Sequence, residues 1–384
     1  MKKILPAAVI AATFALASCG SVQNSYPVVF AHRGGWLGDV QTPSRVTEYY
    51  VPENSLDGIR MAARMGYPTI ELDVHWTLDS VLVCMHDGTI NRTMRNAADQ
   101  SAIESPVAVK STSFEELRTK YALASTDPGM RRCIPTLEEM LDECARCGIK
   151  PIMHCDIYEG YERAVPILGD NFICFSSNFE VCRRTRGISS CLILLDPGKE
   201  LTARGLEATP ANVLSLLDEI GGDTGISSMK YEMCAPEMTE AMHAAGHPVQ
   251  SSIFPTPHEA DAVRNGADIL LSDFCWRPAK GMKPARSITL RSTGGDGAAT
   301  ASFDECELGA LTITLTGKGS CTVTVEELAA TGASETRTYE FCGTDDAPAI
   351  TERLSYRFWK TAPTVRLTAA EGSSFKLKAA LYNL

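Results

Sequence analysis

The chain has 384 residues, 44% of them hydrophobic and 22% charged, a globular composition long enough for one large domain and a smaller one. Its formal net charge of −11 excludes a nucleic-acid binder, which needs a basic surface, and offers an anionic substrate no long-range attraction. Any phosphate site must therefore be built locally, from a metal ion or a few cations.

At the N-terminus, Lys2 and Lys3 precede an apolar run from Ile4 to Ala17 that is too short to span a bilayer comfortably. Leu16-Ala17-Ser18-Cys19 has the form of a bacterial lipobox, so residues 1–19 read as a lipoprotein signal peptide that leaves Cys19 as an acylated N-terminus. The expectation is a protein tethered to a bacterial membrane by lipid, periplasmic or at the cell surface. Of the 14 cysteines, Cys19 is taken by the anchor, and the odd remainder sits largely in apolar runs, as at Cys84, Cys155, Cys174 and Cys191. Free thiols there behave as small core residues, and no disulfide is assigned.

Residues 26–285 alternate short apolar runs with amphipathic stretches. Candidate strands are Val28–His32, Thr69–Asp73, Pro151–Asp156, Phe172–Ser176, Cys191–Leu195, Gly225–Met229, Pro248–Ile253 and Asp268–Leu271. Helical patterns such as "TLEEMLDECARCG", closed by Gly148, lie between them. Eight strands separated by helices predict an α/β fold, a (β/α)8 TIM barrel. Only a few residues separate Val74 from Val81, too few for a crossover helix, so Val81–Met85 should return as an antiparallel hairpin strand beside the barrel. Residues 286–384 change texture: Thr alternates with apolar residues and Gly-rich turns intervene, which predicts a β-sandwich-like accessory domain. A glycan or lipid contact, or a spacer role, would suit such a domain.

Functional residues of a barrel come from the C-terminal ends of its strands. Here those ends carry His32 and Arg33, Glu71 and Asp73, and Asp156. Three carboxylates converging on one mouth repel unless a cation sits among them, and a hard divalent ion, Ca2+ or Mg2+, is the simplest resolution. Pairing with arginine could absorb Arg33 and one acid, but not three. His75 is assigned a structural role facing the helices. Trp36 either covers the mouth or packs on its own loop.

"AHRGG" (Ala31–Gly35), "PENS" (Pro52–Ser55), "ELDVHWTLD" (Glu71–Asp79), "HDGTINRT" (His86–Thr93) and "IPTLEE" (Ile134–Glu139) together resemble the glycerophosphodiester phosphodiesterase family, in that family's order. The resemblance implies metal-dependent hydrolysis of a small glycerophosphodiester to glycerol 3-phosphate and an alcohol. It makes His32 and His86 the acid–base pair, Glu71, Asp73 and Asp156 the metal ligands, and Arg33 a phosphate contact. Glu53 orients the site or approaches the metal. The strand that usually reads Asn-x-Glu-x-Lys reads "HCDIY" here, so His154 stands for the Asn, Asp156 for the Glu and Tyr158 for the Lys. Tyr158 can donate a hydrogen bond to the substrate, and His154 is a substrate contact, a further ligand or a core histidine satisfied by the backbone. Ser252 stands where the family commonly has a tryptophan, and Trp36–Val51 is an insertion; both bear on the alcohol accepted. Two alternatives remain open: a lyase that forms a cyclic phosphate, as in the related phospholipase D group of spider venoms, and an inactive surface-binding lipoprotein.

Overall fold

The computed structural model describes residues 28–38, 46, 48–228, 235–252, 259–273, 275–278, 281–329, 334–343 and 349–384. The lipobox and Cys19 lie outside the described residues. Eight parallel strands form a closed ring: β1 (Val28–Ala31), β2 (Thr69–Trp76), β3 (Lys150–His154), β4 (Ile173–Ser176), β5 (Leu192–Leu195), β6 (Thr224–Ser228), β7 (Val249–Ser252) and β8 (Ile269–Ser272). Each pairs with the next, and β1 pairs with both β8 and β2, which shuts the barrel.

Period-2 alternation decides what fills it. Phe30, Ile152, Ile173, Phe175, Leu194 and Leu271 form one buried cluster inside the ring. Their neighbours Val29, Met153, Cys174, Ile193 and Leu270 face outward into a separate core under the helices. On β2 the outward positions are Ile70 and Leu72. Glu71 and Asp73 therefore point inward, at the level where the apolar interior gives way to the mouth.

The chain between β2 and β3 holds a long excursion. Leu82–Cys84 returns antiparallel to the end of β2, with Val74 opposite Cys84 and Trp76 opposite Leu82, as the short connection requires. The helix Leu137–Cys147 then crosses back to β3, opened by a capping box between Thr136 and Glu139 and closed at left-handed Gly148. The described cysteines are free thiols.

The C-terminal region is antiparallel throughout. Its strands are β9 (Arg286–Thr293), β10 (Ala299–Ser302), β11 (Cys306–Lys318), β12 (Ser320–Ala329), β13 (Ser334–Cys342), β14 (Ala349–Ala369) and β15 (Ser374–Asn383). They form one seven-stranded sheet, in the order β9-β15-β11-β14-β12-β13 with β10 also on β14. The two halves stay joined because β14 serves both: it pairs with β11 up to Thr361 and with β12 from there on. Lys360, with φ of 47°, marks the change of partner.

This sheet is keyed into the barrel. Trp276, just beyond β8, is fully buried, donates from Nε1 to the Met65 carbonyl at 2.8 Å and from its amide to the Ser355 hydroxyl on β14 at 3.1 Å. Glu259 accepts the Ser355 amide at 3.1 Å. Because the interior layer is close-packed, Leu194→Ala should cost about 2–5 kcal/mol. The same change at exposed Leu206 should cost no more than about 0.5 kcal/mol, and denaturant unfolding of the two variants checks the contrast.

Candidate metal centre and acid–base pair

The first loop is shaped by backbone constraints. After β1 the chain turns through Arg33 (φ 53°) and Gly34 (φ 83°). A Cβ at Gly35 would lie 2.4 Å from the Ala62 nitrogen, so only glycine lets this loop rest on the helix Leu56–Met65. The left-handed turn at Arg33, strained for a long side chain, aims its amide at Glu71 Oε2, 2.9 Å away. Asn54, also left-handed at φ 47°, takes hold of the other acid: its side-chain amide donates to Asp73 Oδ2 at 2.9 Å and its carbonyl oxygen accepts the Asp73 amide at 3.1 Å.

Glu71 and Asp73 are 1% and 6% exposed. Burial, and then the Asp73 charge, pushes the Glu71 pKa well above the usual carboxylate range, against the pull of Arg33. Burial also works to raise Asp73, but the bond from His154 and the charges of His86, His154 and Arg33 outweigh it and hold that pKa below its ordinary value. The third donor is His154, at the inward end of β3 and directly opposite Asp73 in register. Its Nδ1 lies 3.4 Å from Asp73 Oδ1 and 3.7 Å from Glu71 Oε1, and its ring stacks on Phe175 at 4.2 Å. Ligand atoms of Glu71, Asp73 and His154 all fall within 4.8 Å of one another. Two buried carboxylates and one imidazole, crowded this closely, fit a divalent cation.

The three groups brought together here differ from the three carboxylates expected of the strand ends, with His154 in the place of Asp156. β3 ends at His154, so the residues beyond it leave the inward-facing row. Asp156 turns to the neighbouring loop, where its carboxylate accepts from the hydroxyls of Ser176 (2.6 Å) and Ser177 (2.8 Å), the Ser177 amide (3.0 Å) and Lys199 Nζ (3.2 Å). Burial opposes ionisation there, but these donors prevail and bring its pKa to about 2. Tyr158 is likewise not brought to the cluster: it opens the helix Tyr158–Leu168, and its ring lies 3.6 Å under the Arg184 guanidinium.

Each histidine has its own aspartate. His32 Nδ1 lies 2.6 Å from Asp273 Oδ1, and Arg33 Nε donates to His32 Nε2 at 3.3 Å. Together these fix the tautomer with the proton on Nδ1 and the lone pair on Nε2. His86 Nδ1 lies 2.6 Å from Asp87 Oδ1. The hairpin carries His86 back to the mouth: the Met85 amide bonds the Asp73 carbonyl at 3.2 Å, and His75 Nε2 bonds the His86 carbonyl at 3.0 Å. His75 thus shares the inward face of Glu71 and Asp73, as its even spacing along β2 demands, and is no outward-facing structural residue.

Glu53 accepts from Arg33 Nη1 (3.2 Å), Arg92 Nη2 (2.7 Å) and the Tyr49 hydroxyl (2.7 Å), while Arg92 Nε also holds Asp87 at 2.7 Å. Burial raises the Glu53 pKa, but these cations and the phenol bring it below normal. In this structure it is an ionised anchor for two arginines, which suits the orienting role. Trp36 is buried at 2% exposure beside Tyr49, Val46 and Ala124, and so packs on its own loop instead of covering the mouth. Tyr49 and the Asn54 clamp were not singled out from sequence; Asn54 stands inside the quoted "PENS".

The fold is a closed (β/α)8 barrel with a carboxylate–imidazole cluster at the C-terminal ends of its strands. Residues 45–182 match the model of the Glycerophosphoryl diester phosphodiesterase family, which bears out the resemblance carried by the motifs. Among curated relatives, Glycerophosphodiester phosphodiesterase 1 of Mus musculus is 34% identical over 121 residues, 30% of this chain and 30% of that protein. Its Homo sapiens counterpart is 31% identical over 136 residues, 33% of this chain and 34% of that protein. The chain therefore aligns with only about a third of the length of these relatives. A Silicibacter pomeroyi structure described as a glycerophosphoryl diester phosphodiesterase superposes with a TM-score of 0.50 at 20% identity, covering 65% of this chain and 90% of that one, and shares the fold.

The Asp156 geometry makes a stability prediction. A carboxyl whose folded pKa is depressed contributes stability above its unfolded value, about 3.9, and loses it as the pH falls towards about 2. Asp156→Asn should lower the melting temperature at pH 7, with a deficit that shrinks on acidification, and should leave Mn2+ affinity unchanged. Loss of Mn2+ affinity would return Asp156 to the ligand shell.

Proposed function

We propose that the protein is a divalent-metal-dependent phosphodiesterase that cleaves small glycerophosphodiesters to glycerol 3-phosphate and an alcohol. The observation that carries this reading is the Glu71–Asp73–His154 cluster lying beside two imidazoles, each held by its own aspartate. The names of the relatives supply the substrate class.

A bound divalent ion would polarise the phosphoryl oxygens and neutralise charge in the transition state. Glu71, Asp73 and His154 are the residues that would hold it. Arg33 stands beside them to take a non-bridging phosphate oxygen, oriented by Glu53. His32, with its lone pair on Nε2, and His86 form the acid–base pair: one imidazole withdraws the proton of the attacking hydroxyl, and the other protonates the leaving alkoxide. Asp273 and Asp87 steady the protonated form of the imidazole each holds: on the base the form the step produces, on the acid the form that gives up its proton. The preference for Ca2+ or Mg2+ followed from three oxygen ligands. An imidazole in the third place suits Mn2+ or Zn2+ as well, since nitrogen is a poor donor to the hardest ions.

The lipobox supports a further part of the proposal, that Cys19 anchors the enzyme to a bacterial membrane, periplasmic or at the surface. No helix among the described residues is long and apolar enough to cross a membrane.

Chelation should abolish hydrolysis of glycerophosphocholine, and divalent ions should restore it. His32→Asn and His86→Asn should each lower kcat by on the order of 10²–10⁴, and the wild-type rate should give a bell-shaped pH profile. Full activity in the presence of chelator, or in either histidine variant, would overturn the assignment.

A further inference from the structure

We propose that the C-terminal sheet completes the catalytic machinery, with Arg357 of β14 acting as a positioning residue for His32. This rests on the reading of His32 as one of the acid–base pair. Arg357 is 2% exposed and lies far along the chain from every residue of the mouth. Its guanidinium crosses from the sheet into the barrel. Nε donates to the Asp273 carbonyl at 2.8 Å, Nη2 donates to the same oxygen, and Nη1 donates to the Trp36 carbonyl at 2.8 Å. The plane lies over the rings of Trp36 and Tyr67, at 5.6 and 5.7 Å.

The two carbonyls belong to the two segments that carry His32 and its aspartate partner. Asp273, immediately after β8, presents its carboxylate to His32 Nδ1 at 2.6 Å. Trp36 ends the loop that begins with His32 and Arg33 after β1. One guanidinium therefore staples both sides of the His32–Asp273 hydrogen bond from behind. The fork geometry matters: its separate N–H groups can serve two carbonyls on different segments at once, which a lysine ammonium cannot reproduce. Two residues earlier on the same face of β14, Ser355 bonds the Trp276 amide and, through its own amide, Glu259. The strand is thus fastened to the chain on both sides of β8, and the Arg357 fork is held in register.

Without the fork, two buried carbonyls lose their charged donor and Asp273 loses the contact that fixes its main chain. A shift of about 1 Å there would lengthen the 2.6 Å bond to His32, and misplacement of that size can cost on the order of 100-fold in rate. The inferred role explains why the accessory sheet is seated on the barrel at this point, and makes it part of the enzyme rather than a detachable spacer.

The test is Arg357→Met in the full chain, with Arg357→Lys beside it and Lys360→Ala, an exposed position on the same strand, as control. The expected result for Arg357→Met is a fall in kcat of on the order of 10–100-fold with KM little changed. The proton resonance of His32 Nδ1–H should weaken or move, the pH–rate limb that responds to His32→Asn should shift, and Mn2+ affinity by calorimetry should stay at wild type. Arg357→Lys should fall between, and carries the test if the methionine variant does not fold. Lys360→Ala should match wild type throughout. A folded Arg357 variant with wild-type kcat, pH profile and His32 resonance would overturn the proposal. Full activity of His32→Asn would instead sink the acid–base assignment beneath it, so the two failures are distinguishable.

Discussion

Two carboxylates on the inward face of one strand, Glu71 and Asp73, are the constraint around which the mouth is arranged. They are buried where the barrel interior stops being apolar, and neither can be ionised there without help while the other is. Much of the surrounding structure supplies that help. The Arg33 amide is turned onto Glu71 by a left-handed backbone, Asn54 clamps Asp73, and the His154 nitrogen stands opposite both. Such a concentration of negative charge is costly in a fold and reasonable in a metal centre.

Around this cluster runs a second set of charges that orients the site without joining Glu71, Asp73 and His154. Glu53 ties Arg33 to Arg92, and Arg92 reaches Asp87, which holds His86. On the opposite side His32 is held by Asp273, whose main chain is gripped by Arg357 from the C-terminal sheet. Both imidazoles thus have their Nδ1 engaged by an aspartate. The Tyr49 hydroxyl joins the first network, so the insertion after β1 contributes to the site's electrostatics from beneath.

Much of this was legible in the sequence. The eight strands emerge from apolar runs of the right length, and the short link between Val74 and Val81 forces the hairpin that brings His86 to the mouth. The placement of Asp156 was not legible, because the point at which β3 stops facing inward depends on strand pairing. A strand taken two residues too long makes Asp156 a ligand and demotes His154. The Asp273 and Arg357 contacts are long-range, linking chain segments 84 to 321 residues apart, and no local pattern announces them. Glu53 was recognisable as a motif residue, but its partnership with two arginines emerges only from the fold.

The central claim is that Glu71, Asp73 and His154 share one divalent ion. Pulsed electron paramagnetic resonance of the Mn2+-loaded protein tests it directly. The account predicts one bound ion with modulation from a coordinated imidazole nitrogen, a signal that disappears in His154→Gln. An ion with oxygen ligands alone, or a nitrogen signal that survives that substitution, would contradict it.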